Sequence, residues 1–155
     1  MKILKKILPI VIIVVVVGLI YSFFHIDGRE IKNLSSLNEA ESVDLTVRDL
    51  NTDETVNYEL SKSQIEKLQT LFWENSYTRR ISNTIIGVLP DKRYTILTNW
   101  DDGGQKHLYI SLIGGEYISV AGQFGNSYNK IKNPNFEKDL ISILELNEGE
   151  NNDEK

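Results

Sequence analysis

An uncharged apolar run near the N-terminus constrains this chain more than any other feature. Residues 7–24 read ILPIVIIVVVVGLIYSFF, 18 residues without a charge. At about 1.5 Å of rise per residue, such a helix is roughly as long as the bilayer hydrocarbon is thick. The run has no polar stripe, and in lipid its backbone must bond to itself, which favours helix in spite of the many valines. We predict a transmembrane helix over 7–24, with Pro9 in its first turn, where a missing N–H costs little.

The flanks of the run indicate an uncleaved signal anchor. Residues 1–6 include three lysines and form a basic n-region, which favours a cytoplasmic N-terminus. Residues 21–25, YSFFH, lack the small-residue pattern that signal peptidase prefers. The alternative is a signal sequence cleaved at a poor site. Arg29 and Lys32, beyond the run, weaken this preference. A cytoplasmic N-terminus places the rest of the chain outside the cell.

Composition excludes several classes of protein. There is no Cys, so disulfides, Cys-ligated metals, thiol catalysis and lipid attachment to cysteine are ruled out. The chain carries 17 basic and 22 acidic residues, and without the three lysines before the apolar run the balance is −8. That charge argues against a nucleic-acid partner and against a domain that lies flat on anionic lipid. We predict no cofactor and no metal.

Three further segments follow the predicted anchor. Residues 25–41 are mixed and polar, and we interpret them as a tether. Residues 42–146 are long enough for one hydrophobic core. Residues 147–155, NEGENNDEK, are acidic and polar and are expected to be disordered.

The domain begins with a predicted hairpin. Two runs of alternating apolar and polar residues flank the turn-forming sequence NTDE. A two- or four-residue loop pairs Val47 with Val56 and Leu45 with Tyr58, and so places every apolar residue on one face.

Two amphipathic helices are predicted. The first has a capping box, Ser61 with Gln64. In the second, Asn133 is the N-cap and Pro134 the first helical residue. Their buried stripes are Ile65, Leu68, Leu71 and Phe72 in the first, and Phe136, Leu140, Ile143 and Leu144 in the second. Between the first helix and the next strands, 76–91 is a connection with a short strand at 85–89.

A meander of three strands, with a short fourth, is predicted between the helices. The strands are 92–100, 105–113, 116–120 and 127–131. An odd-numbered loop in DDGG pairs Ile96 with Ile110, which gathers the large apolar residues on one face. We therefore expect an α+β domain, a hairpin plus a three- or four-strand antiparallel meander, with both helices on one sheet face.

These features resemble those of small single-anchor envelope proteins of low-GC Gram-positive bacteria that carry a domain of unknown function. The resemblance rests on the anchor, on SKSQIEKLQTLFW, on KRYTILTNWDDGGQKHLYI and on GEYISVAGQFGNSYNKIK, and it covers roughly residues 43–145. It implies a location in the cell envelope and a fold, and no activity.

Catalytic and metal-binding motifs are not found. His25 and His107 are the only histidines, too few for a zinc site. A strained nucleophile turn such as G-x-S-x-G does not occur. Asp101 and Asp102 share one turn, where two carboxylates cannot flank a sugar ring. We predict no catalytic residue.

Two surfaces are candidates for binding. One is an amphipathic patch on the polar sheet face, a composition enriched at interfaces; alternatively, these aromatic residues only stabilise the sheet. Its members are Tyr109, Tyr117, His107 and Trp100. The other is the pair Arg79 and Arg80 in the connection, which suits a carboxylate or phosphate.

The sequence thus favours a non-enzymatic, membrane-anchored extracytoplasmic module that binds a protein or a cell-wall component. A sensor accessory and an immunity or inhibitor protein both fit this class. The alternatives are an envelope hydrolase with an unrecognised site and a spacer domain.

Overall fold

Alternating apolar residues form one antiparallel sheet in this computed structural model, which describes residues 2–31, 34–80, 90–99, 108–121 and 129–145. The described strands are β1 (His25–Asp27), β2 (Ser42–Asp49), β3 (Thr55–Glu59), β4 (Ser76–Thr78), β5 (Lys92–Asn99), β6 (Tyr109–Ile113), β7 (Tyr117–Val120) and β8 (Asn129–Ile131). The described helices are α1 (Lys2–Phe24), α2 (Lys62–Trp73) and α3 (Phe136–Glu145). The strand order is β1-β4-β8-β7-β6-β5-β2-β3. The α+β class is confirmed.

The predicted strand registers are confirmed. In the β2–β3 hairpin Val47 lies opposite Val56 and Leu45 opposite Tyr58. In the β5–β6 pair Ile96 lies opposite Ile110, as the odd-numbered loop requires. The hairpin joins the meander because β2 also pairs with β5. Leu45, Ile96 and Ile110 therefore share one face with Tyr94 and Leu112, here called the inner face.

The helices cover the inner face. At the start of α2 the Ser61 side chain accepts from the Gln64 N–H while the Gln64 side chain accepts from the Ser61 N–H, a complete capping box. The predicted stripe of α3 is buried, and the rings of Phe72 and Phe136 meet at 5.7 Å between centroids. Asn133 Oδ1 accepts from the N–H of Asn135 at 2.9 Å, as an N-cap would, but the regular helix starts at Phe136, two residues after the predicted first helical residue, Pro134.

Residues 25–31 and 34–41 are part of the folded domain and not a tether, which corrects the prediction from sequence. β1 forms an edge of the sheet, with Ile26 buried opposite Tyr77. Leu34 and Leu37, in a 3-10 helix over Leu34–Glu39, are fully buried. A side chain at Gly28 would meet the Phe72 carbonyl oxygen, 1.9 Å from the position of a Cβ, so this segment packs tightly on the end of α2.

The N-terminal apolar helix is longer than predicted. It begins at Lys2, so Pro9 lies in its interior and not in its first turn, and the N–H that Pro9 lacks would have donated within the helix. Over Ile7–Phe24 its mean hydropathy is 2.9, and it is the one described helix long and apolar enough to cross a membrane. Between Ile7 and Phe23 its large apolar side chains are 46–65% exposed, so the domain does not cover them.

Several predictions lie outside the described residues. They are the strand at 85–89, the turn at 101–104, the first residues of the strands at 105–113 and 127–131, and the tail at 147–155.

Replacing Leu37 by Ala tests whether the segment that was predicted to be a tether contributes to the hydrophobic core. Because Leu37 is fully buried, we expect the free energy of unfolding to fall by about 2–4 kcal/mol. Val56→Ala is the control, since Val56 is 50% exposed on β3, and we expect a loss below about 1 kcal/mol. The measurement is urea unfolding of the full chain in detergent micelles, followed by tryptophan fluorescence. Equal losses in the two variants would contradict a core position for Leu37.

Candidate functional site

The outer face of the sheet, opposite the helices, has an exposed amphipathic patch at its β3 end. Leu97 and Tyr109 are directly opposite each other on β5 and β6 and are 37% and 43% exposed. Asp44 on β2 lies beside Leu97, and Glu59 on β3 lies beside Asp44. These strands form a depression of about 540 Å³, here called the outer patch, lined by Asp44, Thr46, Asn57, Tyr58, Glu59, Thr95, Leu97 and Tyr109. It combines an apolar centre with two carboxylates.

Tyr117 does not belong to the outer patch, which corrects the predicted tyrosine patch. It lies opposite Ile113 on β6, four residues along that strand from Tyr109. At about 3.3 Å per residue the two tyrosines are roughly 13 Å apart along the strand direction. Ser111 and Ile113, between them, are buried. Their separation along the strand direction, and the buried residues between them, therefore divide the predicted surface into two parts.

Tyr117 is instead close to one of the two candidate arginines. The guanidinium of Arg80 lies 5.1 Å from the centroid of the Tyr117 ring, within the range of a cation–π contact. Lys130 on β8 is opposite Tyr117 in the sheet. Arg80 is thus held at the outer face by an aromatic ring rather than projecting freely from a connection.

Arg79 contacts the apolar helix. Its backbone N–H donates to the carbonyl of Phe24 at 2.8 Å, and its guanidinium lies 4.8 Å from the centroid of the Phe23 ring. The two adjacent arginines therefore contact different rings, Arg79 the Phe23 ring and Arg80 the Tyr117 ring.

A second basic side chain meets the same end of α1. Lys132 Nζ lies 2.9 Å from His25 Nδ1 and 6.0 Å from the Tyr21 ring centroid. The Tyr21 and His25 rings are stacked, with centroids 5.2 Å apart. We call these three residues, with Phe23 and Arg79, the junction. Sequence reasoning missed it, although aromatic residues closing an apolar run are a typical signal of a membrane interface.

A depression of about 460 Å³ beside α3 is lined in part by Glu137, the carboxylate partner of the buried Tyr94 phenol. Its lining includes Glu116, Lys130, Lys132 and Glu137. The Tyr94 hydroxyl donates to Glu137 Oε1 at 2.8 Å. Burial, and then the hydrogen bond and charge of Glu137, raise the pKa of Tyr94 above its ordinary value. Tyr94 therefore remains protonated at neutral pH and links the sheet to the first turn of α3.

The remaining candidates are not placed by the structure. His107 and Trp100 lie outside the described residues. Among the residues that are described, no group of three or more His, Asp or Glu is arranged to hold a metal ion.

Comparison with protein-family models, with curated proteins and with solved structures finds no match for this chain. The resemblance to Gram-positive envelope proteins therefore stays a prediction, and the assignment of a function rests on the geometry described above.

Tyr94→Phe tests the phenol–carboxylate pair. We expect a loss of about 1 kcal/mol in the free energy of unfolding near neutral pH, because the hydrogen bond to Glu137 is removed. The folded-state pKa of Tyr94 is raised, so its contribution is complete below the unfolded pKa of about 10 and is lost as the pH rises above it.

The alkaline loss of stability should therefore be smaller in Tyr94→Phe than in the unmodified chain, and not absent, because burial also raises the pKa of Tyr77. Urea unfolding at about pH 8 and about pH 11 measures both effects. Tyr109→Phe is the matched control, since that ring is exposed. Identical pH dependence in Tyr94→Phe and the control would contradict the assignment.

Proposed function

We propose that this chain is a membrane-anchored extracytoplasmic domain of the bacterial cell envelope, which binds a protein or a cell-wall component through its outer patch. α1 is the proposed anchor, with its N-terminus in the cytoplasm. The domain from β1 to α3 is the proposed binding module.

The observation that carries the proposal is the exposure of α1 together with its direct continuation into the sheet. Its apolar side chains are half exposed or more along most of its length, an area that needs a cover of lipid or protein. The Phe24 carbonyl accepts from the N–H of Arg79, the residue after β4, and Ile26 is buried in the core. A helix built into the domain in this way favours an anchor that is retained over a signal sequence that is removed.

The outer patch supports the binding part of the proposal. Tyr109 and Leu97 are large apolar side chains left exposed on strands, and Asp44 and Glu59 lie along one side of them. An aromatic centre with a polar rim is typical of protein interfaces, and an exposed tyrosine also suits stacking on a sugar. The two carboxylates favour a ligand with basic groups.

Protease accessibility of a C-terminal tag on intact bacterial protoplasts tests the orientation. We expect the tag to be lost while a cytoplasmic marker survives, because three lysines before the apolar run favour a cytoplasmic N-terminus. An N-terminal tag on the same membrane-bound chain reports whether the anchor is retained. A C-terminal tag that is digested only after lysis would contradict the proposed orientation.

Site-specific photocrosslinking in cells tests the outer patch. A photoreactive residue at Tyr109 should give discrete adducts, whereas the same residue at Lys67, exposed on α2, should give few. Leu97→Ser in the chain that carries the probe at position 109 should reduce adduct yield by about an order of magnitude if the patch is the interface, by analogy with interface hot spots. Equal yields at positions 67 and 109 would contradict the proposal.

A further inference from the structure

The junction brings two cations onto the last turn of the apolar helix. The guanidinium of Arg79 is 4.8 Å from the Phe23 ring, and the Lys132 ammonium is within 6.0 Å of the Tyr21 ring. Lys132 Nζ is also 2.9 Å from His25 Nδ1, so the ammonium has a fixed position. Both cations are distant from α1 in the sequence. The pairing of β4 with β1 and with β8 places them beside the end of the helix.

The position of Phe23 sets the depth of these cations in a bilayer. The apolar span Ile7–Phe24 ends one residue after it, and at about 1.5 Å per residue the span just matches the hydrocarbon thickness. A guanidinium in contact with that ring then lies at the boundary between hydrocarbon and headgroups. The lipid phosphates occupy the same depth, so both cations lie within reach of the headgroups.

We propose that Arg79 and Lys132 form a binding site for the headgroup of anionic phospholipids. Arg79 is suited to bidentate contact with a phosphate, and the Lys132 ammonium retains donors beyond the one that faces His25. The inference rests on the proposed function, because it requires α1 to span the bilayer, but it holds whichever side of the membrane carries the domain.

The charge around the junction supports an anionic ligand. The segments 25–31, 76–80 and 129–133 hold five basic and two acidic residues, a local balance of +3. Glu116 and Glu137, which line the same depression as Lys130 and Lys132, lower that excess to +1. The Asp27 carboxylate accepts from the backbone N–H of Arg29 at 2.9 Å. The region next to α1 is thus basic although the domain as a whole is acidic.

Spin-labelled lipids measure the proposed preference directly. The full chain is reconstituted in phosphatidylcholine vesicles that contain a trace of spin-labelled phosphatidylglycerol or spin-labelled phosphatidylcholine. The fraction of label immobilised by the protein gives the ratio of the two association constants. Each cation at the surface favours anionic lipid by roughly five-fold, so we expect a ratio of at least about five.

The variant R79Q/K132Q should lower this ratio to about one, and K132Q alone should lower it part of the way. The matched control is K62Q/K67Q, which removes the same charge from exposed positions on α2 and should retain the preference. Circular dichroism verifies that each variant is folded. A ratio of about one for the unmodified chain, or an unchanged ratio in both R79Q/K132Q and K132Q, would overturn the inference.

Extraction with alkaline carbonate separates this inference from the proposed function. If the unmodified chain is stripped from the vesicles, α1 does not span the bilayer and both proposals fail. If it stays in the vesicles and shows no lipid preference, only the headgroup site fails.

Discussion

The pairing of β1 with β4 fixes the apolar helix to the domain, and most other features depend on it. α1 ends at Phe24 and β1 begins at the next residue, so no flexible segment separates helix and sheet. The Phe24 carbonyl accepts from the Arg79 N–H, and Ile26 is buried against Tyr77. The same few residues therefore close the helix, start the sheet and contribute to the core, and the sheet edge stays at the end of the helix.

Two buried glutamines make α2 the link between the N-terminal segment and the C-terminal helix. Gln64 Nε2 donates to the Ile143 carbonyl of α3 at 3.0 Å. Gln69 Nε2 donates to the Leu34 carbonyl at 2.6 Å, and its Oε1 accepts from Asn38. A buried amide that loses its partner is costly, so these bonds specify one arrangement of the covering elements on the sheet.

Patterns that are local in sequence predicted most of the sheet and both domain helices. The capping box of α2 and the register of β5 with β6 follow from adjacent residues and loop length. The core role of Leu34 and Leu37 was missed because a single spacing of three, in a short 3-10 helix, shows no sustained period of an α-helix or a strand. β1 and β4 are three residues each, too short to show an alternation. The outer patch was predicted only in part, since which side chains meet on a face depends on burial and long-range pairing.

The junction also shows why a charge count over the whole chain is the wrong measure for a membrane surface. Counted together, the residues after the apolar run carry −8, which argues against contact with anionic lipid. In physiological salt, however, charges more than about 8–10 Å from a surface are largely screened. A bilayer around α1 would respond to Arg79, Lys132 and their immediate neighbours, and very little to the carboxylates of the outer patch. The strand order determines which charges lie near α1. In this acidic protein it places β4 and β8, with the basic residues Arg79 and Lys132 that follow them, next to the helix.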